Sequence, residues 1–317
     1  MADKNLLISV PEQEFKGLLQ RDKILSAVQQ LSPWTALMRD LVNYGTNLVP
    51  RCFGTSSRTL ADAVLTGVLL RQVISMLDGA EVLLSSGAVH AAKLQMRALL
   101  EAALYLDWIR VSDSEKKADY YYVHNLRRQR RWAERVQGTS NAGREFVEMM
   151  NAIGVPPKQE VIDLAKQHLA EIQRVLAQPR FAATSADFDA RLRGKLEVPW
   201  YSPLGPRNLR EIAKAVGKLP HYLLWYSLAS DVIHGSNYRD HLTFGSGRVT
   251  FEPIRYLKDF DQVYHFSVIM ALDVYTAILE RYRSGELPAF SRKYVEKWQK
   301  VFMNTPNITI NVEEITI

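Results

Sequence analysis

Apolar positions recur every three to four residues along most of this chain, the spacing that lays one hydrophobic stripe along a helix. The pattern predicts helices over 11–31 and 34–49, separated at Leu31-Ser32-Pro33-Trp34, with Ser32 as N-cap and Pro33 at the first helical position. Two long helices follow at 57–86 and 88–112, broken by Gly87. So short a break predicts that they fold back on each other as an antiparallel hairpin. A charged helix spans 114–137, and another spans 157–178 behind Pro156-Pro157. The stretch 179–206 mixes proline, glycine and charge, which predicts a long loop or excursion. Helical spacing returns at 207–217 and 219–234.

The period then changes. Residues 241–253, HLTFGSGRVTFEP, set two β-prone runs around Gly245-Ser246-Gly247, a hairpin signature. Helices are predicted at 257–284 and 289–303, and the tail alternates apolar and polar residues from Ile308 to Val312. That tail reads as a strand, added to the hairpin or to another chain. The expected fold class is mainly α: a helical bundle over 57–303 with a small β-hairpin at 241–253. A helical extension at 1–56, an inserted loop/helix region around 138–206 and a β-like tail at 304–317 complete the expected organisation. No repeat, coiled coil or low-complexity tract interrupts it.

Composition adds boundaries. Hydrophobic residues make up 47% and charged residues 23% of 317, enough for a sizeable core without staples. The single cysteine, Cys52, excludes an intrachain disulfide and a Cys-rich zinc site and fits a reducing cytosol. The first fifteen residues lack the apolar core of a signal peptide, and no uncharged run of about 18 apolar residues appears. The expectation is a cytoplasmic protein with no membrane partner. The net charge of +6 favours an anionic partner.

Several chemistries lack their motifs. No Gly-x-Ser-x-Gly elbow is present, and Ser227 lies seven residues before His234, about two turns away, so a serine hydrolase is not supported. His234 and His241 have no carboxylate–histidine metal signature around them. No glycine-rich phosphate loop occurs, so no nucleotide or dinucleotide cofactor is expected. Three features remain. Arg97 and Glu101 are four apart on one helix face, amid alanine and leucine. They form either a buried pair locking two helices or part of a polar niche. Ser227, Ser230 and His234 share a stripe of a later helix, Asp231 stands three before His234, and Gly235 fits the position just past its end. There His234 either caps the helix terminus, whose dipole favours a cation, or serves chemistry. Finally, residues 124–137 hold Arg127, Arg128, Arg130, Arg131 and Arg135 against one Glu134, with Trp132 among them. Arg127, Arg131 and Arg135 follow one another at i, i+4 and i+8, with Arg128 alongside and Trp132 able to stack on a base. The alternative is a solvated face bridging to acidic loops.

Arg97-x-x-x-Glu101 followed by Ser230-x-x-x-His234-Gly235-Ser236 resembles a family of bacterial helical domains of unknown function, over roughly residues 60–280. More distantly, it resembles the HEPN superfamily (higher eukaryotes and prokaryotes nucleotide-binding). That resemblance implies a helical bundle, a homodimer and a defence or toxin setting. It also implies a choice between two roles. The first is a non-catalytic sensor, scaffold or partner of an effector protein. The second is a metal-independent ribonuclease. In the ribonuclease, His234 is the base or acid, Arg97 the phosphate clamp, Glu101 the orienting group and Ser230 a further catalytic candidate, with RNA steered by the arginine helix. The usual HEPN motif is Arg, then four to six residues, then His on one helix. Here residues 226–230 supply none, so Arg97 has to come from the other helix.

Overall fold

Helix dominates the computed structural model, which describes residues 16–192, 198–234, 238, 241–245, 248–304 and 315–316. The side chains of Asp231 and His234 fall outside that description. After a helical turn at Lys16–Leu19, the helices are α1 (Arg21–Gln30), α2 (Ser32–Gly54), α3 (Leu60–Ser85) and α4 (Val89–Val111). Then come α5 (Ser114–Val136), α6 (Asn141–Ala152), α7 (Gln159–Leu176), α8 (Pro179–Leu192) and α9 (Leu209–Ala215). The helical run 219–234 is α10, with a π-helical segment at Tyr222–Tyr226. Strands β1 (Leu242–Gly245) and β2 (Arg248–Phe251) precede α11 (Phe260–Tyr282) and the helical run 287–303, α12. Strand β3 is Ile315–Thr316. The fold is mainly α with a small hairpin, as the spacing predicts.

Two compact units make up the chain. One comprises Met1–Thr55, Leu69–Ala103 and Leu219–Ile317; the other comprises Ser56–Val68 and Leu104–Lys218. Helices α3 and α4 therefore contribute residues to both.

In the first unit, α2, the later part of α3 and α11 form the core. The buried Tyr275 hydroxyl donates to the Leu41 carbonyl at 3.0 Å. Gly45 permits this approach: a Cβ there would lie 2.7 Å from Ile74 Cγ1 and closer still to Tyr275 Oη. Gly87 ends α3 with φ +72°. Its N–H bonds Leu84 O at 3.0 Å and that of Ala88 bonds Leu83 O at 2.8 Å, the paired closure of a Schellman motif. A Cβ on Gly79 would meet the Gln95 side chain at 3.3 Å. Those two positions are equidistant from Gly87, as the antiparallel hairpin of α3 and α4 requires. The sheet pairs Leu242 with Phe251 and Gly245 with Arg248, and β3 joins β2 through Thr250↔Thr316. The tail strand expected over 308–312 lies outside the described residues; the strand that is described sits just after it.

Some boundaries differ from the sequence pattern. Ser32 is the first helical residue rather than the cap; Leu31 holds the cap position without a side-chain bond, and Pro50 lies inside the helix. Gln20, with φ 50°, splits the expected first helix.

In the second unit, α5, α7 and α8 bury Val123, Leu126, Ile172, Leu176, Phe181 and Phe188 together. Helix α8 stands within 179–206, where the sequence predicts a long loop or excursion. Pro179 reads as a breaker but occupies the first helical position, where its missing N–H costs nothing. The spacing of Phe181 and Phe188 then faces both rings inward, 7% and 2% exposed. Helix α6 was also absent from the pattern; Ser140 caps it by accepting from the Gly143 N–H at 3.0 Å. Trp108 packs 5.3 Å from Trp200, and Lys117 closes the helix end by donating to Trp108 O at 2.6 Å. Burial lowers the Lys117 pKa.

Two helices, Leu60–Ser85 and Phe260–Tyr282, are long and apolar enough to cross a membrane by length and composition. More than half of each apolar window is buried, as core helices also are.

Candidate functional site

The first candidate site grows from α4. Met96, Leu99, Leu100 and Ala103 are buried, which fixes the helix against the core and leaves Arg97 and Glu101 at its edge. Arg97 Nε donates to Glu101 Oε1 at 3.1 Å, with the two side chains 16% and 33% exposed. Arg97 Nη2 donates to the Tyr226 hydroxyl oxygen at 2.6 Å. The guanidinium carbon also lies 4.2 Å from the centre of the Tyr226 ring, close enough for cation–π attraction. Tyr226 stacks on Tyr222 at 4.6 Å with planes 19° apart. Both tyrosines belong to the π-helical segment of α10, a local widening often found at functional positions. Burial, and next the Glu101 charge, push the Tyr226 pKa up in spite of Arg97. The phenol is therefore neutral at physiological pH. Arg97 Nη1 is buried with no hydrogen-bond partner among the described residues.

Helix α10 ends at His234, as the sequence predicts. The His234 and Asp231 side chains, and all of Gly235 and Ser236, lie outside the described residues. The expected approach of His234 to Arg97 or Glu101 falls there too. Ser227 is exposed, Ser230 half-buried and Ala229 fully buried. Arg97 and Glu101 are thus brought together, and the group joining them is Tyr226, which sequence reasoning missed. A signal for it existed: Tyr222, Tyr226 and Ser230 step four residues at a time along α10.

The second candidate site is on α5. Arg127 turns inward: it is 3% exposed and ion-paired to Asp189 at 2.6 Å, and it also bonds the Ser185 hydroxyl at 3.0 Å. Arg130 faces Glu134 at 3.7 Å. Arg128 and Arg135 are exposed, and Arg131 is half-buried. These last three and Trp132 line a cleft of about 880 Å³ between α5 and α7. The α7 wall contributes Val161, Leu164, Ala165 and His168. Trp132 is 57% exposed, with its ring 6.0 Å from that of Phe146 on α6. No carboxylate is among the described residues lining the cleft. The arginine helix was legible from sequence; the apolar wall facing it was not, because Val161 and Leu164 look like ordinary core positions of an amphipathic helix. No group of three or more His, Cys, Asp or Glu side chains able to hold a metal ion occurs among the described residues.

Comparison with known proteins gives one family and no individual relative: no curated protein and no solved structure matches the chain. The matching family model, described as a family of unknown function (DUF5677), covers residues 62–247, a span that includes Arg97, Glu101, Ser230, His234 and the whole cleft, and the chain belongs to that family.

Proposed function

We propose that this protein is a non-catalytic helical sensor or scaffold that works as the partner of an effector protein. The observation that supports this reading is the engagement of Arg97. A phosphate clamp offers its guanidinium edges to substrate oxygens. Here the Nε edge is directed to Glu101 and Nη2 to Tyr226. The phenol adds its ring beneath the cation. Opening that arrangement for a substrate would leave a half-buried Glu101 and a neutral Tyr226 without their donor. The bacterial defence or toxin setting follows the resemblance of the two motifs to HEPN bundles, as does the homodimer.

A second reading, a metal-independent ribonuclease, draws on Arg97 Nη1, which has no acceptor among the described residues. A phosphate oxygen would fit that need. One experiment separates the two. Purified wild-type protein, Arg97→Met and His234→Ala are incubated with single-stranded RNA, without added metal, and the RNA is resolved on a denaturing gel. The non-catalytic reading expects intact RNA in every lane. Cleavage by the wild type that both variants lose overturns it.

A further inference from the structure

The cleft between α5 and α7 has a built asymmetry. Its α5 wall carries Arg128, Arg131 and Arg135, and its α7 wall is aliphatic, with His168 at the end. The apolar part is open to solvent: Trp132, Val161 and Leu164 are 57%, 49% and 63% exposed. Apolar strips of this kind, edged by charge, mark interaction sites. Met149, Ile153 and Val155, beyond the end of α5, are also exposed, at 55%, 64% and 57%.

The geometry sets the size of the occupant. From Asn125 to Val136 the lining of α5 runs about 16 Å at 1.5 Å per residue, roughly three helical turns. The lining residues recur at helical spacing on both walls, so the groove is straight and parallel to the helices. Charge sets its chemistry, since arginines line it and, among the described residues, no carboxylate does. The wall material separates the macromolecular alternatives. A single-stranded nucleic acid is held by successive aromatic platforms as well as cations, and this cleft offers one exposed aromatic, Trp132, opposite aliphatic side chains. An amphipathic helix instead needs an apolar wall for residues at i, i+3/i+4 and i+7, and a charged edge for its flank.

We propose that this cleft is the docking groove for an acidic amphipathic helix of a protein partner, with leucine-like side chains on Val161, Leu164 and Trp132 and its carboxylates on Arg128 and Arg135. This rests on the reading of the protein as an effector's partner and names the chemistry of that partner.

The test uses the full chain and three fluorescent probes followed by anisotropy. The first is a helical peptide of about four turns with leucines at i, i+4 and i+7 flanked by glutamates. The second has lysines in place of those glutamates. The third is single-stranded RNA. The acidic peptide is expected to bind, with affinity falling as salt is raised, and the lysine peptide is not. Leu164→Asp and the pair Arg128→Glu/Arg135→Glu should each weaken acidic-peptide binding by about tenfold or more. Leu164, Arg128 and Arg135 are exposed, so folding should survive; unchanged circular dichroism checks that. No binding of the acidic peptide, or binding that survives Leu164→Asp, overturns the proposal. So does tight RNA binding that the arginine reversals abolish and Leu164→Asp leaves untouched, because the cleft is then a nucleic-acid site. RNA cleavage dependent on His234 would remove the non-catalytic reading while leaving the peptide result to stand or fall by itself.

Discussion

The Arg97 arrangement makes a quantitative prediction about two conservative substitutions. Glu101→Gln keeps the acceptor oxygen at Arg97 Nε but removes its charge; Tyr226→Phe keeps the ring beneath the guanidinium but removes the acceptor at Nη2. At 3.1 Å the gross attraction of the ion pair is roughly 5 kcal/mol at an effective dielectric near 20. Most of this is offset by desolvation, and Glu101 is one-third exposed, so water takes over part of its role. What remains is the difference between a charge-assisted and a neutral hydrogen bond, about 1 kcal/mol. Tyr226→Phe strands a buried donor and should cost about 1–2 kcal/mol. A loss of about 1 kcal/mol lowers Tm by roughly 2–4 °C in a cooperative unit of this size. Thermal unfolding followed by circular dichroism reads both. In an Arg97→Met background both substitutions should cost much less, because the cation the acceptors hold is gone. Equal losses in the two backgrounds, or no loss in either, would refute the claim that Glu101 and Tyr226 are Arg97's partners.

Three further predictions concern the framework. Gly45→Ala should destabilise by about 1–3 kcal/mol through overpacking against Ile74 and Tyr275, whereas Gly67→Ala, where an added Cβ meets nothing within 4 Å, should stabilise by up to about 1 kcal/mol; unfolding midpoints that move in the same direction contradict this. Phe188→Ala should cost about 3–5 kcal/mol because its ring is 2% exposed in the core of the second unit, and urea denaturation showing less than about 1 kcal/mol would place that ring elsewhere. Burial raises the pKa of Tyr226, Tyr264 and Tyr275 above the ordinary tyrosine value. A raised folded pKa gives stability that is present below about pH 10 and lost as pH rises through the folded values. Lys117, lowered by burial, opposes them with the reverse sign. The three tyrosines should win, so the urea midpoint should fall between about pH 9 and about pH 11, and a rising midpoint counts against the account.

Long apolar stripes and punctuation made most of the fold legible. Gly87 could be read as a helix end because only a left-handed residue closes that turn so tightly, and the hairpin followed from a change of period at residue 241. Helix α8 was hidden because Pro179 carries two meanings, breaker and first helical residue, and the meaning is decided by Phe181 and Phe188 finding a core. The arginine helix was visible as composition but not as geometry. Each four-residue step advances about 40° past a full turn, so Arg135 lies roughly 80° round from Arg127. That drift carries Arg127 to the buried edge beside Asp189, and Arg128 and Arg135 to the cleft. The pairing of Arg97 with Glu101 was readable from spacing on one helix. Tyr226 shared a four-residue step with Tyr222 and Ser230, but its approach to Arg97 was not readable, because that depends on how α10 meets α4, and a π-helical segment shifts the phase of the stripe just there.

On the proposed reading, the Arg97 guanidinium is held by Glu101 and Tyr226 of its own chain and is not offered to a phosphate. Nitrogen-15 NMR of the Arg97 Nε–H signal, assigned by its loss in Arg97→Met, measures this directly. The expected signal is a slowly exchanging resonance that shifts in Glu101→Gln and stays in place when single-stranded RNA is titrated to saturation. A rapidly exchanging resonance that moves with RNA, and does not respond to Glu101→Gln, contradicts it.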